Sequence, residues 1–404
     1  MSTAVWTPRL ELSSVADKSL RAAARFWFVV ALAGQFAFAI SVATFYGLTA
    51  LRGNIQAWNK ILAHGYETGA TMSNTALVGH ILFATVISIA GALQLIPGIR
   101  NRFPVFHRWN GRLFVLAAFT QAITGIYLTV LVRRLIGDTT QHVVSVLGAV
   151  LIIFCAVMAL RFAIARDFTI HRRWALRLFL VASASWFIRL GFALTLVLLG
   201  PIGFDSTTFS GPLVTFWSFA QYLLPLGVLE LYLWAQDRPG ALRRMATAGV
   251  LFVLTLAMGA GIALVTMASW VPNVRAAMDP RKSIAQTLSA TIASSGIEAA
   301  AKQYSDLKAA APATYNFDEN ELNNLGYRLI RANKFKEAIR IFQINVEAFP
   351  KSGNTYDSLA EGYMDDGDKA QAVANYQKSL QLNPKNRNAV VMLRKLNAPP
   401  IQGR

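Results

Sequence analysis

Long apolar segments recur along the first two thirds of the chain and are absent from the remainder. Seven of them come close to or exceed the length of about 20 residues that an α-helix needs to cross a bilayer. They cover residues 26–50, 76–98, 112–132, 141–162, 176–199, 212–235 and 246–270. The pattern predicts an all-α fold, in which a polytopic membrane helix bundle of about seven spans, with a duplicated four-helix core at 76–199, precedes a soluble helical-repeat domain.

The soluble part of the chain contains a sequence repeat with a period of 34 residues. One set of apolar, small and proline positions comprises Leu325, Gly326, Ala338, Phe342 and Pro350. Residues of the same kind follow 34 positions later, at Leu359, Ala360, Ala372, Tyr376 and Pro384. A degenerate third copy contains Ala300, Tyr304 and Pro312. This helix–turn–helix unit resembles the tetratricopeptide repeat. The resemblance implies a concave surface that binds a peptide or protein, with a rigid cap lacking any partner as the alternative.

These two patterns divide the chain into five regions. We predict a cytoplasmic N-terminal segment at 1–25, a transmembrane domain at 26–270, a linker with the degenerate repeat at 271–316, two repeats at 317–396 and a tail at 397–404. The apolar run that begins near Phe26 is too long for the core of a signal peptide, so it is interpreted as the first span. Cys155 is the only cysteine, which excludes an intramolecular disulfide and a cysteine metal cluster.

The composition fits a membrane protein and argues against a nucleic-acid partner. Hydrophobic residues make up 54% of the chain and charged residues 15%, more apolar and less charged than an ordinary soluble domain. The formal net charge of +18 lies mainly in short loops, where the orientation rule of membrane proteins places Lys and Arg. The expected partner of the first domain is therefore the lipid bilayer.

The distribution of Lys and Arg also predicts the orientation. Sixteen of these residues lie at the ends of the spans that would share one face with the N-terminus, whereas the opposite short loops contain only Arg52, Lys60, Arg133 and Arg134. The side with more Lys and Arg is cytoplasmic by the positive-inside rule. In a bacterium with two membranes, seven spans then place the repeat domain in the periplasm and the protein in the inner (cell) membrane.

Four of the five histidines occupy matching ends of four consecutive spans. His80 and His142 open the second and fourth spans. His107 and His171 precede the third and fifth spans, in the phrases His-Arg-Trp-Asn-Gly-Arg (107–112) and His-Arg-Arg-Trp-Ala-Leu-Arg (171–177). Because helix direction alternates, His80 and His142 are expected near the outer face and His107 and His171 near the inner face. Histidines on facing helices of a bundle can bind a cofactor in its core.

Imidazole is a common haem-iron ligand, and a haem with two histidine ligands favours electron transfer. The arrangement resembles the ascorbate-reducible diheme cytochrome b family, in which four consecutive helices each supply one histidine. That resemblance implies two b-type haems, one bound by His80 and His142 and the other by His107 and His171. The same phrases, over about 75–235, more closely resemble a family of predicted bacterial membrane proteins that supplies no activity. Three features depart from the cytochrome pattern. The ligand spacings are shorter, His107 and His171 are predicted at loop–helix junctions, and no ascorbate motif is recognisable.

Three arginines are candidate partners for haem propionates. Arg112 and Arg177 belong to the histidine phrases, and Arg189 lies in the outer half of the fifth span. A charged residue within a span needs a polar or anionic partner. The alternatives are a pair between Arg177 and Glu230, and an Arg189 that reaches lipid phosphate or the carbonyls of a broken helix.

The leading hypothesis is a transmembrane electron carrier with two bis-His haems and a repeat domain that docks a partner protein. In the alternative, a non-enzymatic scaffold, the histidines are interfacial anchors and only the repeats bind proteins. A third possibility is a small-molecule or proton carrier that uses Glu230 and Arg189, although the later spans lack the broken-helix pair expected of a midplane site. His64 lies outside the pattern and is given no role.

Overall fold

The structure is a computed structural model, and it describes residues 8–62, 65–67, 69–132, 137–200, 203–204 and 209–397. It is helical almost throughout these residues, which confirms the predicted all-α class. Two compact units are present: a membrane unit that ends at Met278 and a soluble unit that begins at Asp279. His64, Arg133 and Arg134 lie outside the described residues.

The described part of the membrane unit contains ten α-helices. They are α1 (Pro8–Leu51), α2 (Thr71–Gln94), α3 (Pro97–Arg102), α4 (Pro104–Ile126), α5 (Thr139–Ile164), α6 (Phe168–Ala182), α7 (Ala184–Leu199), α8 (Pro212–Asp237), α9 (Ala241–Val265) and α10 (Val271–Met278). A 3₁₀ turn follows α1, and π-helical turns extend α4 and join α9 to α10. By length and composition, six of the described helices can cross a membrane, or seven spans are present if the bent pair of α6 and α7 is one span.

Polar caps and prolines fix where these helices begin. Asp138 caps α5 through a reciprocal pair of hydrogen bonds with Gln141, of 3.1 and 2.7 Å. The Asp167 carboxylate accepts a bond of 3.0 Å from the Ile170 N–H at the start of α6. Pro104 and Pro212 occupy first-turn positions, where the missing N–H is not needed. Helices α4 and α6 therefore start eight residues before their apolar segments, whereas α5 starts two residues before its segment and α8 starts at the first residue of its own.

The fifth span differs from its prediction as one straight helix over 176–199. It begins at Phe168 and bends by 54° between α6 and α7. At the bend the Ser183 N–H bonds the carbonyls of Phe179 and Leu180, and the Trp186 N–H bonds that of Ser183. Bonds that span three residues tighten the last turn of a helix and end its regular ladder. No proline or glycine marks the position.

Small residues let the membrane helices approach closely. Ala117, Ala118 and Ala156 are fully buried in a core that α2, α4, α5, α6 and α8 share. A Cβ atom at Gly91 on α2 would lie 2.8 Å from the Phe114 ring and 2.9 Å from the Phe179 ring. Between lipid-embedded helices, association rests on such van der Waals packing because lipid is as apolar as the side chains.

The described soluble unit contains seven α-helices and a short parallel strand pair. The helices are α11 (Ile284–Ser295), α12 (Ile297–Ala310), α13 (Glu319–Arg331), α14 (Phe335–Ala348), α15 (Gly353–Asp365), α16 (Lys369–Leu382) and α17 (Arg387–Asn397); the strands are β1 (Lys282–Ser283) and β2 (Tyr315–Asn316). Helices α13 and α15 start 34 residues apart, as do α14 and α16. Gly326 at the α13–α14 crossing leaves room for the Phe342 ring, which a Cβ would approach to 2.3 Å.

The packing at Gly91 yields a first prediction. Gly91→Ala should lower the stability of the membrane unit by about 1–3 kcal/mol, because two aromatic rings must move to admit the methyl group. Gly79→Ala, on the same helix with nothing within 4 Å of the added Cβ, is the matched control. The measurement is the thermal unfolding midpoint of each full-length variant in detergent. Equal midpoints would show that the rings adapt without cost.

Candidate cofactor site in the membrane unit

Three of the four patterned histidines occupy the same position of their helices. His107, His142 and His171 each lie four residues after an N-cap, which is Phe103, Asp138 and Asp167 respectively. Each histidine N–H donates to the cap carbonyl, over 3.0, 3.2 and 2.9 Å. His107 and His171 are therefore inside the first turns of α4 and α6, rather than at the predicted loop–helix junctions. His80 lies deeper than predicted, as the tenth residue of α2.

His107 and His171 line one cavity of about 1810 Å³. Its walls come from α1, α2 and each helix from α4 to α9, with α3 at one end. The structure thus brings together the pair that the alternation of helix directions predicts for one face.

The His107 and His171 rings differ in their hydrogen-bond partners. The His171 Nδ1 lies 2.8 Å from the Ala159 carbonyl oxygen, so this nitrogen carries the proton of the neutral ring and leaves Nε2 with a lone pair. Metal-binding histidines are commonly oriented by such a bond. The His107 Nδ1 is buried and has no hydrogen-bond partner in the described protein. A buried polar atom without a partner is unfavourable and calls for a ligand or an ordered water.

Two amides position the turn that carries His107, and neither was predicted from the sequence to have a role at the site. The Gln94 amide donates to the His107 carbonyl over 2.8 Å. The Asn110 amide donates to the Ala90 carbonyl over 2.9 Å. Together they tie the start of α4 to the end of α2. Their only sequence signal is that they are uncharged polar residues at the margins of apolar segments.

The same cavity is strongly basic at the end that contains these histidines. Seven arginines line it, which we call the arginine rim: Arg21, Arg25, Arg100, Arg108, Arg112, Arg166 and Arg172. No carboxylate is among the described lining residues. Three carboxylates of this unit are held elsewhere, because Asp237 pairs with Arg173 at 2.6 Å, Glu230 with Arg177 at 2.7 Å, and Asp17 with Arg244. The rim therefore keeps its positive charge.

Arg112 and Arg177 have the same position in the two histidine phrases but different partners. Each guanidinium lies 4.7 Å from the ring centre of the tryptophan three residues earlier, Trp109 or Trp174. Arg112 lines the cavity. Arg177 is bound by Glu230 and is not a lining residue, so the structure shows the ion pair that the sequence offered as the alternative to a propionate.

The remaining candidates, His80, His142 and Arg189, lie outside this cavity. The His80 Nδ1 lies 3.1 Å from the Thr124 hydroxyl of α4, and the charge of Arg189 acts on its ring. Arg189 donates to the Ser185 carbonyl of its own helix and lies 5.5 Å from the Phe38 ring centre. His142 is half-buried in the first turn of α5. The pairing of His80 with His142 stays a prediction.

The sequence comparisons agree with a membrane protein and give no activity. A family profile described as "Predicted membrane protein (DUF2306)" matches residues 77–211, about a third of the chain. All four patterned histidines fall within the matched segment. No curated protein matches the chain.

A separate polar network connects helices of the soluble unit. Glu361 on α15 accepts bonds from the Tyr327 hydroxyl at 2.6 Å and the Asn388 amide at 2.8 Å. Asp357, one turn earlier, accepts from the Asn386 and Asn388 amides at 2.8 and 3.0 Å. Burial raises the pKa of both carboxyls above their ordinary values.

This network yields a pH prediction. Because the pKa of Glu361 is raised in the folded state, its stabilising contribution is present at low pH and is lost as pH rises through the folded pKa. Glu361→Gln removes the charge. Its carbonyl oxygen can still accept from the Asn388 amide, while its NH2 group donates to the Tyr327 oxygen and the Tyr327 hydroxyl donates to Ser358 instead. Between about pH 4 and pH 8, we expect the soluble unit of this variant to lose less stability than that of the unmodified protein. Each 1 kcal/mol of stability that is retained should raise the unfolding midpoint by ~4–8 °C.

Scanning calorimetry of the full chain across that pH range measures the effect. Glu347→Gln removes a carboxylate that is 69% exposed in the same unit, and its pH profile should follow that of the unmodified protein. Parallel profiles for all three proteins would contradict a role for the buried carboxyl.

Proposed function

We propose that the membrane unit is a haem-binding electron carrier of the bacterial cell membrane. The observation that carries the proposal is the convergence of His107 and His171, from two separate helices, on one cavity that is basic at their end and apolar beyond. A second haem, bound by His80 and His142 near the opposite face, completes the hypothesis. The arginine-rich end then faces the cytoplasm and the soluble unit lies in the periplasm.

The residues of the cavity fit a haem at the His107–His171 end. His171 offers an unprotonated Nε2 in a fixed tautomer, and His107 has a buried ring nitrogen that lacks a partner. Arg112 supplies a positive charge within the same cavity for a propionate. Aromatic walls that include Phe114 and Phe179 provide the apolar surface that a porphyrin requires.

Each group then has a defined task. When bound, a haem with two imidazole ligands supplies a one-electron couple without an open iron position. The Ala159 carbonyl holds the proton of His171 on Nδ1, and Gln94 and Asn110 hold the turn that carries His107. The apolar walls exclude water, and hydrophobicity around an iron site is one of the means by which a protein sets its redox potential.

A visible spectrum tests the proposal directly. The full-length protein, expressed with ample haem and purified in detergent, should show a Soret band and a low-spin spectrum that dithionite reduces. His107→Ala and His171→Ala should each remove the same haem, about half of the total bound, whereas His80→Ala and His142→Ala should each remove the other half.

Two controls make this result interpretable. His64→Ala should leave the haem content unchanged, and unfolding midpoints should show that each variant is folded. A protein that is folded and free of haem under these conditions would overturn the proposal. Loss of haem only in the His107 and His171 variants would confine the function to a single haem.

A docking role for the soluble unit has separate support. The α13–α14 and α15–α16 pairs repeat with a 34-residue offset, and each crossing places a small residue against an aromatic ring. We propose that these pairs are tetratricopeptide-like repeats that bind a protein, which is also the whole function in the scaffold alternative. In that alternative, alanine at all four patterned histidines leaves both folding and partner capture intact.

Site-specific photocrosslinking in cells distinguishes docking from a rigid cap. A crosslinking residue at the exposed Asn320 on α13 should form an adduct with one defined protein, because the first helices of such repeats line the binding face. The same residue at the exposed Gln377 on α16 is the control and should not. Absence of any adduct from both positions would favour the rigid cap.

A further inference from the structure

The cavity that contains His107 and His171 also has the properties of a lipid site. We infer that it binds a single anionic phospholipid, with the phosphate against the arginine rim and an acyl chain in the apolar interior. This inference goes beyond the proposed function and does not rest on it. The two proposals share Arg112, and the variants that test the lipid leave Arg112 in place.

The charge of the rim points to a phosphate. Guanidinium groups bind phosphate through parallel N–H···O bonds, and several of them can share its oxygens. The rim arginines come from α1, α3, α4, α6 and the α5–α6 turn, so they surround the opening from several directions. None of the seven pairs with a carboxylate among the described residues. All seven are exposed, so an anionic headgroup that enters the opening would meet several of them at once.

The opposite part of the cavity is suited to hydrocarbon. Side chains from α7, α8 and α9 line it, among them Leu194, Leu224, Leu254 and Met258. These residues present no hydrogen-bonding group. Because the arginines and the leucines line one continuous cavity, its ligand must have a charged end and a long apolar end.

Size separates a lipid from a compact metabolite. Small-molecule sites usually measure roughly 300–1,000 Å³, whereas this cavity measures about 1810 Å³. Space therefore remains even with another group at the His107–His171 end. A two-chain phospholipid can use this excess, because each methylene that it buries adds to the binding free energy.

The arginine rim contains only some of the arginines at this end of the bundle. Arg102, Arg238 and Arg243 lie at the same end but do not line the cavity. Arg243 packs 4.2 Å from the Trp234 ring centre. Arg102 is two residues from the lining residue Arg100 on the same short helix. These neighbours provide variants of equal charge outside the cavity.

Native mass spectrometry of the full-length protein tests the inference. The detergent-purified protein is titrated with phosphatidylglycerol and, separately, with phosphatidylcholine of identical chains. We expect one phosphatidylglycerol to bind at least tenfold more tightly than phosphatidylcholine. Arg25→Gln with Arg100→Gln should abolish this preference, whereas Arg102→Gln with Arg238→Gln should retain it. Equal effects of the two double variants would overturn the inference.

A second variant separates occupancy of the cavity from attraction to a basic surface. Ala257→Trp adds bulk to the apolar interior and leaves every arginine in place. It should weaken phosphatidylglycerol binding severalfold if the chain enters the cavity, and unchanged binding would place the lipid outside. Palmitate that competes as strongly as phosphatidylglycerol would overturn the assignment of a phosphate. The two histidines and Arg112 are intact in all these variants, so haem content reports on the electron-carrier proposal independently.

Discussion

Ion pairs between neighbouring helices hold three carboxylates of the membrane unit away from its central cavity. Charged groups within or beside a bilayer are costly unless they are paired, and Asp17, Glu230 and Asp237 satisfy this by joining α1 to α9 and α6 to α8. Because these acids are held between helices, none of them reaches the central cavity to neutralise the arginine rim. The same ion pairs that stabilise the bundle therefore leave a positively charged opening at one end. Both proposed ligands, a haem with propionates and a lipid with a phosphate, depend on that imbalance.

Most of the fold could be predicted from the sequence, because spans are long apolar segments and their alternation fixes which ends share a face. The meeting of His107 and His171 follows from this alternation alone. The bend at Ser183 could not be predicted, since no proline or glycine marks it. The roles of Gln94 and Asn110 could not be predicted either. Each side chain donates to a backbone carbonyl on another helix, and only the packed structure shows which carbonyl this is.

The two histidine phrases show how a duplicated motif diverges. Both contain a tryptophan and an arginine three residues apart, and both pairs stack at the same distance. Glu230 lies beside only one of the two arginines, so Arg177 is held in an ion pair while Arg112 faces the cavity. The sequence pattern predicts the same role for both arginines. The structure gives them different neighbours, and therefore different contacts. In this protein a single glutamate on a distant helix makes that distinction.

The broken fifth span also has a consequence for biosynthesis. Its two parts have 15 and 16 residues, about 23 Å each at 1.5 Å per residue, and neither alone crosses a hydrocarbon core of about 30 Å. Only as a pair can they span it. Helices α8 and α9 both pack against α7, the second part, and both follow it in the chain. A chain that ends before α8 therefore lacks the two later helices that contact α7 in the complete fold.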